Sequence, residues 1–403
     1  MARIEGRPGR RRTAWPPVLL LGSLLLLTPL PALARGEKTV FQSQPLEWDP
    51  EFRRDGPVAS LDFVPAWTFG GFHAPLAGDP AVDGDLLLAS SQNGEVAALD
   101  PARGEARWKT RLPDALTLGP LALAGRVYQA TREGRLLSLD GNDGRILWTT
   151  DLGSAAAYTP RPIGSRLLVA TTGQRLLALD PADGRLLAGR PLPGRPTTPP
   201  VEAPGSILIG TEHGIVLALD RETLGVLWQR YTGQAITAPP LFSAHRVYVA
   251  SADRTLRCLR FRSGRPLWMI RTGAILTASP FTLGPYLYLL CYDNDIYVLK
   301  ARNGHLMTRV RMGHRLDVSS AHAVDHLFVV PFTEAALVSL ALPGLQAAGR
   351  YALDIPGEWF TTAPVVIGER VAVGYGRSEG RVLALTMSEA QAKNKAERAA
   401  GSP

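Results

Sequence analysis

A chain of 403 residues allows two or three ordinary domains or one large repeat array. Hydrophobic residues at 45% and charged residues at 20% exclude whole-chain disorder, and two cysteines exclude a disulfide-stapled scaffold or a Cys-rich zinc or iron–sulfur site. Gly (40) and Pro (33) together make up about 18% of the chain, above the ~12% of average usage, which favours short strands and turns over long helices.

The N-terminal segment reads as a secretory signal peptide. Arg3, Arg7, Arg10, Arg11 and Arg12 form a basic head, Val18–Leu30 is apolar, and Ala32-Leu33-Ala34 is a small-x-small site expected to be cut after Ala34. The apolar run is shorter than the ~20 residues of a spanning helix, and Pro29 and Pro31 interrupt its end. Without residues 1–34 the chain keeps 39 basic and 35 acidic residues, a net charge of +4, which argues for solubility and against a nucleic-acid groove. Residues 35–60 read as a linker.

Self-similarity sets the fold class. The sequence AALDPARGEARW (Ala97–Trp108) recurs as LSLDGNDGRILW (Leu137–Trp148), LALDPADGRLLA (Leu177–Ala188) and LALDRETLGVLW (Leu217–Trp228). RCLRFRSGRPLW (Arg257–Trp268) and YVLKARNGHLMT (Tyr297–Thr308) continue the series. Gly104, Gly144, Gly184, Gly264, Gly304 and Gly344 fall on a 40-residue grid, with Gly225 one position late. Trp67, Trp108, Trp148, Trp228 and Trp268 mark a second slot, with Ala188, Thr308 and Ala348 as degenerate copies. A third marker, Pro80, Pro120, Pro160, Pro200, Pro240 and Pro280, keeps the same period, and four added residues bring Pro364 to it.

Each unit contains a Pro-led segment, two apolar runs separated by a polar turn, then a Gly turn and a strand ending at the Trp slot. Four short strands per repeat make the blade of a β-propeller. The Gly supplies a positive φ in its turn. Asp100, Asp140, Asp180 and Asp220 are placed to accept backbone N–H bonds there. The Trp covers the seam to the next blade. The Pro is expected on the innermost strand, where a free edge faces the channel.

The Trp slots count eight outer strands. The first, around Trp67, has no inner strands before it, and the last inner strands, PVVIGERVAVGY and GRVLALT, have no outer strand after them. The sequence therefore predicts an all-β, eight-bladed propeller over 61–386, closed by the N-terminal strand completing the C-terminal blade. Residues 387–403 read as a frayed helical or disordered tail.

The Ala-Leu-Asp-x-x-x-Gly-x-x-x-Trp pattern, best kept at Ala98–Trp108, resembles the pyrroloquinoline-quinone (PQQ)-type propeller repeat. Within that superfamily, eight compact blades behind a signal peptide resemble the BamB family. That resemblance implies a non-enzymatic accessory scaffold of outer-membrane β-barrel assembly, acting in the periplasm with protein partners in the cell envelope. BamB-family members are normally lipoproteins. No Cys lies near the cleavage site here, so no lipid anchor is expected, and association with the outer membrane would run through a partner.

The alternative from the same superfamily is a quinone-dependent dehydrogenase or quinone-binding protein. Such enzymes carry long inserted loops, a calcium held by carboxylates and amides, an acidic base and usually an adjacent Cys pair. About 41 residues per blade leave little room for inserts, and Cys258 and Cys291 are not vicinal, so no catalytic residue and no cofactor is assigned. The two cysteines read as small buried residues. His322 and His326, with Asp325 between them, lie in a strand-and-turn segment where a spacing of four does not bring ligands together. GYGRSEG (Gly374–Gly380) reads as a blade turn. The candidate partner-binding surface is the rim formed by loops from each outer strand to the next inner strand. It contains Tyr158, Arg195, Gln234, Ile236, Ile275, Leu276, His314, Arg315, Trp359 and Phe360, with Arg and aromatic residues of the kind that anchor interfaces. Pairing of a partner strand with an open outer blade edge is a rival binding mode.

Overall fold

The structure, a computed structural model, describes residues 38–40, 61–276, 278–312, 316–322, 325–331 and 334–389. The expected signal peptide, His314 and Arg315 lie outside the described residues.

Among the described residues, short apolar runs separated by turn residues form thirty-three strands in eight sheets. Blade 1 runs from Ala81–Asp83 to Ala106–Arg111, blade 2 from Leu121–Leu123 to Ile146–Asp151, and blade 3 from Arg161–Ile163 to Leu186–Pro191. Blade 4 runs from Val201–Ala203 to Val226–Tyr231, and blade 5 from Leu241–Ser243 to Pro266–Arg271. Blade 6 spans Phe281–Leu283 to Leu306–Arg311, and blade 7 Leu316–His322 to Gln346–Ala352. Blade 8 joins Val365–Ile367, Arg370–Tyr375 and Arg381–Glu389 to Leu61–Phe69. Each is a four-stranded antiparallel meander forming one blade of an eight-bladed propeller. Blade 5 also carries a parallel fifth strand, Lys38–Val40.

Burial explains the sequence pattern. The middle strands of a blade are covered on both faces by neighbouring blades, so Leu167–Thr171 and Leu176–Leu179 are apolar or small throughout and fully buried. The outer strands alternate, as in Ile146–Asp151, because they lie at the perimeter. The core accordingly divides between blades. Tyr248, Cys258 and Trp268 of blade 5 pack with Leu287, Leu289 and Tyr297 of blade 6. Ala372 and Val382 of blade 8 pack with Leu87, Ala97 and Leu99 of blade 1.

Closure is as the sequence predicts. Leu61–Phe69 pairs antiparallel with Arg381–Glu389, with Leu61 opposite Glu389, Trp67 opposite Ala384 and Phe69 opposite Val382. The final strand runs three residues past the predicted end of the propeller, because Leu61 still pairs with Glu389 and Met387 packs against the blade 8 core.

The Trp slot acts across each seam. Trp67 Nε1 donates to the Pro101 carbonyl at 3.0 Å, closing blade 8 on blade 1. Trp108 donates to Gly141 at 2.7 Å, Trp148 to Pro181 at 3.3 Å and Trp228 to Phe261 at 2.6 Å. The indoles lie on Gly104, Gly144, Gly184, Gly264 and Gly304 of the following blades, where an added Cβ would sit 2.4–2.7 Å from ring atoms. These glycines also have φ of +60° to +74°, so the slot demands both space and a left-handed backbone. All eight outer strands carry a β-bulge next to this slot. The turn aspartates cap as expected: Asp100 Oδ1 accepts from Ala102 N at 2.7 Å, and Asp140 and Asp180 accept from Asn142 and Ala182 at 2.8 Å.

Three details of the sequence grid are corrected. Leu224, not Gly225, fills the Gly slot of blade 4, and Leu345, not Gly344, fills that of blade 7; both donate the turn-closing N–H, to Asp220 O and Ala341 O. In blade 7 the register puts Gly349, not Ala348, at the Trp slot, where Leu61 and Phe63 cover it. The periodic prolines precede the innermost strands rather than lying in them, and all seven are buried.

Candidate protein-binding surface

The predicted rim is built by loops that lead from each outer strand to the next blade. Seven of these loops are fixed by a backbone bond from the turn between the second and third strands of the next blade. Glu212 N donates to Arg195 O at 2.9 Å, Tyr292 N to Ile275 O at 3.0 Å and Gly376 N to Trp359 O at 3.2 Å. A rigid backbone thus presents Arg195 and Gln234, which are exposed, and Tyr158, Ile275 and Trp359, which are half-buried. Burial pushes the Tyr158 hydroxyl pKa up, partly offset by the Arg195 guanidinium on the adjacent loop.

Two rim assignments are corrected. Ile236 and Leu276 are each 1% exposed, because both form bridges, to Ser251 and Cys291, that turn their side chains into the inter-blade core. They are packing residues. Phe360 makes the equivalent bridge to Tyr375 and packs against the blade 8 core, while remaining half-buried.

Charged residues also fasten this face. Glu95, at the start of the third strand of blade 1, accepts from His73 N at 3.0 Å, and its carboxylate lies 2.9 Å from both His73 Nδ1 and Lys109 Nζ. Burial alone would raise its pKa. The bonds from the His73 backbone, Lys109, the His73 ring and Asn93 outweigh this and hold it down to about 2. The contact ties the loop that follows the closing strand to blade 1. At the equivalent position in blade 6, Asp295 is buried and takes a two-pronged contact from Arg311, with Nε at 3.0 Å and Nη2 at 3.1 Å.

Sequence reasoning missed an apolar band on the circumference. Ile146 and Leu147 of blade 2, Leu186 and Leu187 of blade 3, and Val226 and Leu227 of blade 4 occupy the same two positions just before the Trp slot. All six are between 37% and 56% exposed. The counterparts in blade 1 are Ala106 and Arg107, so the band is not a requirement of the repeat. At its blade 4 end, Leu227 helps line a groove of about 480 Å³ with Pro204, His245 and Phe261. The signal was present as apolar pairs on a 40-residue grid, but the same letters also fit strand interiors.

Cys258 and Cys291 are free thiols, buried in separate blades, and burial raises their pKa to about 12 and about 11. His326 Nδ1 lies 2.9 Å from Asp325 Oδ1. Among the described residues no group of three His, Cys, Asp or Glu side chains is placed to hold a metal ion. Cys258 and Cys291, in separate blades, are not the adjacent Cys pair of a quinone site.

Eight four-stranded blades, clasped by Trp on Gly at five seams, define a PQQ-type β-propeller. The model of the family described as outer membrane protein assembly factor BamB matches residues 54–207 and 212–400, and the chain belongs to that family. Among solved structures, BamB from Moraxella catarrhalis superposes with a TM-score of 0.69 at 19% identity, covering 81% of this chain and 100% of that one. The computationally designed Ika8 protein gives 0.68 at 13% identity, covering 79% and 98%. The quinohemoprotein alcohol dehydrogenase ADHIIG from Pseudomonas putida HK5 gives 0.64 at 12% identity, covering 81% and 76%. At these identities the superpositions establish the fold alone. No curated protein matches the chain in sequence.

Proposed function

We propose that this protein is a non-enzymatic scaffold of the periplasm that binds protein partners, among them components of outer-membrane β-barrel assembly. The observation that carries the reading is the apolar band on blades 2–4, six large side chains exposed at one level of the perimeter. Family membership supports the class of partner. The rim residues Tyr158, Arg195, Gln234, Ile275 and Trp359 form a second contact region, with His314 and Arg315 proposed to belong to it from their sequence position.

The test is capture of envelope complexes by the tagged full-length protein and by a Leu186→Glu/Leu227→Glu variant. The expected result is a β-barrel assembly factor that co-purifies with the former and is depleted at least tenfold with the latter, at unchanged melting temperature. Equal capture by both proteins removes the band from the reading. Oxidation of alcohols or sugars by the purified protein with added quinone and calcium overturns the scaffold reading in favour of the quinone-dependent alternative.

A further inference from the structure

The eight outer strands differ in the two residues that follow the Trp slot. Blade 1 has Lys109-Thr110, blade 2 Thr149-Thr150, blade 3 Gly189-Arg190 and blade 4 Gln229-Arg230. Blades 6, 7 and 8 have Arg309-Val310, Arg350-Tyr351 and Thr68-Phe69. Each pair includes a polar, charged or glycine residue. Blade 5 alone is apolar at both, with Met269-Ile270. Against those residues runs Lys38–Val40, parallel to the edge, with Lys38 opposite Trp268, Thr39 opposite Met269 and Val40 opposite Ile270. The edge that is apolar at both of these positions is the one that, among the described residues, has gained a strand.

We propose that the outer edge of blade 5 is a strand-acceptor site for an extended segment of another protein, and that Lys38–Val40 is a resident strand which that segment displaces. The resident covers three of the six residues of Pro266–Arg271. Ordering three residues for the few hydrogen bonds of so short a ladder gains little net, so the resident strand is weakly held and exchanges readily. An incoming strand that spans all six positions makes more ladder bonds on a preformed edge and displaces it. Main-chain pairing supplies affinity, and the alternate side chains of the incoming strand supply selection. The inference rests on the scaffold reading only in assigning the incoming strand to a partner protein; the acceptor edge stands on the pairing and the edge sequence.

The test uses the full chain with Thr39→Pro and Val40→Pro, which removes two N–H donors and the extended pairing of the resident. The probe is a labelled synthetic peptide of residues 36–44, GEKTVFQSQ. The expected result is binding to the double-proline protein at least tenfold tighter than to the unsubstituted protein. Met269→Lys, which places a charge where blade 1 has Lys109, should weaken it at least tenfold in the double-proline background without moving the melting temperature. Equal peptide affinity for the double-proline and unsubstituted proteins, or indifference to Met269→Lys, overturns the proposal. So does self-association of the double-proline protein in place of peptide binding, which would assign the edge to a second copy of this chain. Any of these failures leaves the envelope-partner capture untouched, so the two readings fail separately.

Discussion

The seam between blades 2 and 3 and the seam between blades 3 and 4 solve one packing problem in opposite ways. In the first, Trp148 lies on Gly184, where a Cβ would come within 2.5 Å of the indole. In the second, Ala188 takes the Trp position, and Leu224 takes the Gly position with φ +57° and fills the vacated volume at 2% exposure. A further clamp is common to both: Thr150 Oγ1 donates to Gly184 O at 2.7 Å, and Arg190 Nη1 to Leu224 O at 2.9 Å. The Gly is therefore needed chiefly for space. A leucine can hold the same left-handed turn once the indole is gone, at a backbone cost of order 1 kcal/mol that its packing offsets. Large and small residues exchange sides of the seam together.

The strongest way to break a seam is to remove the strand that closes the ring. Deleting residues 61–70 should expose the edge of blade 8, remove Trp67 from Gly104 and lower the melting temperature steeply. The aromatic alone is worth about 3–5 kcal/mol out of a total of roughly 5–15. A variant that melts like the full chain would refute closure as the source of its stability.

Exchange across the Ala188–Leu224 seam sharpens the comparison. Ala188→Trp alone should clash with Leu224, and Leu224→Gly alone should open a cavity, each costing about 2–4 kcal/mol in denaturant unfolding. The double variant should recover at least ~1–3 kcal/mol relative to the sum, as residues in contact do. Strict additivity would show that the two positions do not share one space.

Glu95 tests the charged fastening at the closing seam. Its folded pKa, about 2, lies below the ordinary 4.5. The stabilisation is therefore complete above about pH 4.5 and is lost as pH falls toward 2, by roughly 1–3 kcal/mol. Glu95→Gln should remove that part of the acid dependence, visible as a flatter plot of unfolding free energy against pH; an unchanged slope would place the acid sensitivity elsewhere.

The smallest effect separates two tryptophans. Trp108 Nε1 has an acceptor at 2.7 Å, whereas Trp268 Nε1 has none among the described residues. Trp108→Phe should cost about 1 kcal/mol more than Trp268→Phe by chemical denaturation. Equal costs would show that the indole N–H bonds contribute nothing net.

Fold class, blade count and closure were legible because they depend on period and on strands missing at the two ends, which survive the loss of individual motif letters. Leu224 and Leu345 were not, since a grid that searches for glycine finds Gly225 and Gly344 one residue away. On the rim, Arg195, Gln234 and Trp359 lie in loops. Ile236 and Leu276 were not distinguishable from exposed neighbours, because a single bridge, invisible in composition, decides which way they face. The pairing of Lys38–Val40 had no trace in the sequence, since three residues carry no period of their own.

The closing strand also has a history within each molecule. Leu61–Phe69 leaves the ribosome long before Arg381–Glu389, and joining them closes a loop whose entropy costs roughly 5 kcal/mol. Contacts so distant in sequence form late and slowly. Until then a nine-residue strand with Val64 and Trp67 waits without a partner while other blade edges appear beside it. It carries Asp62 and, at its bulge, Pro65, which cannot donate to a ladder. The strand that finishes the ring is thus spelled to be a poor match for every edge but the last one made.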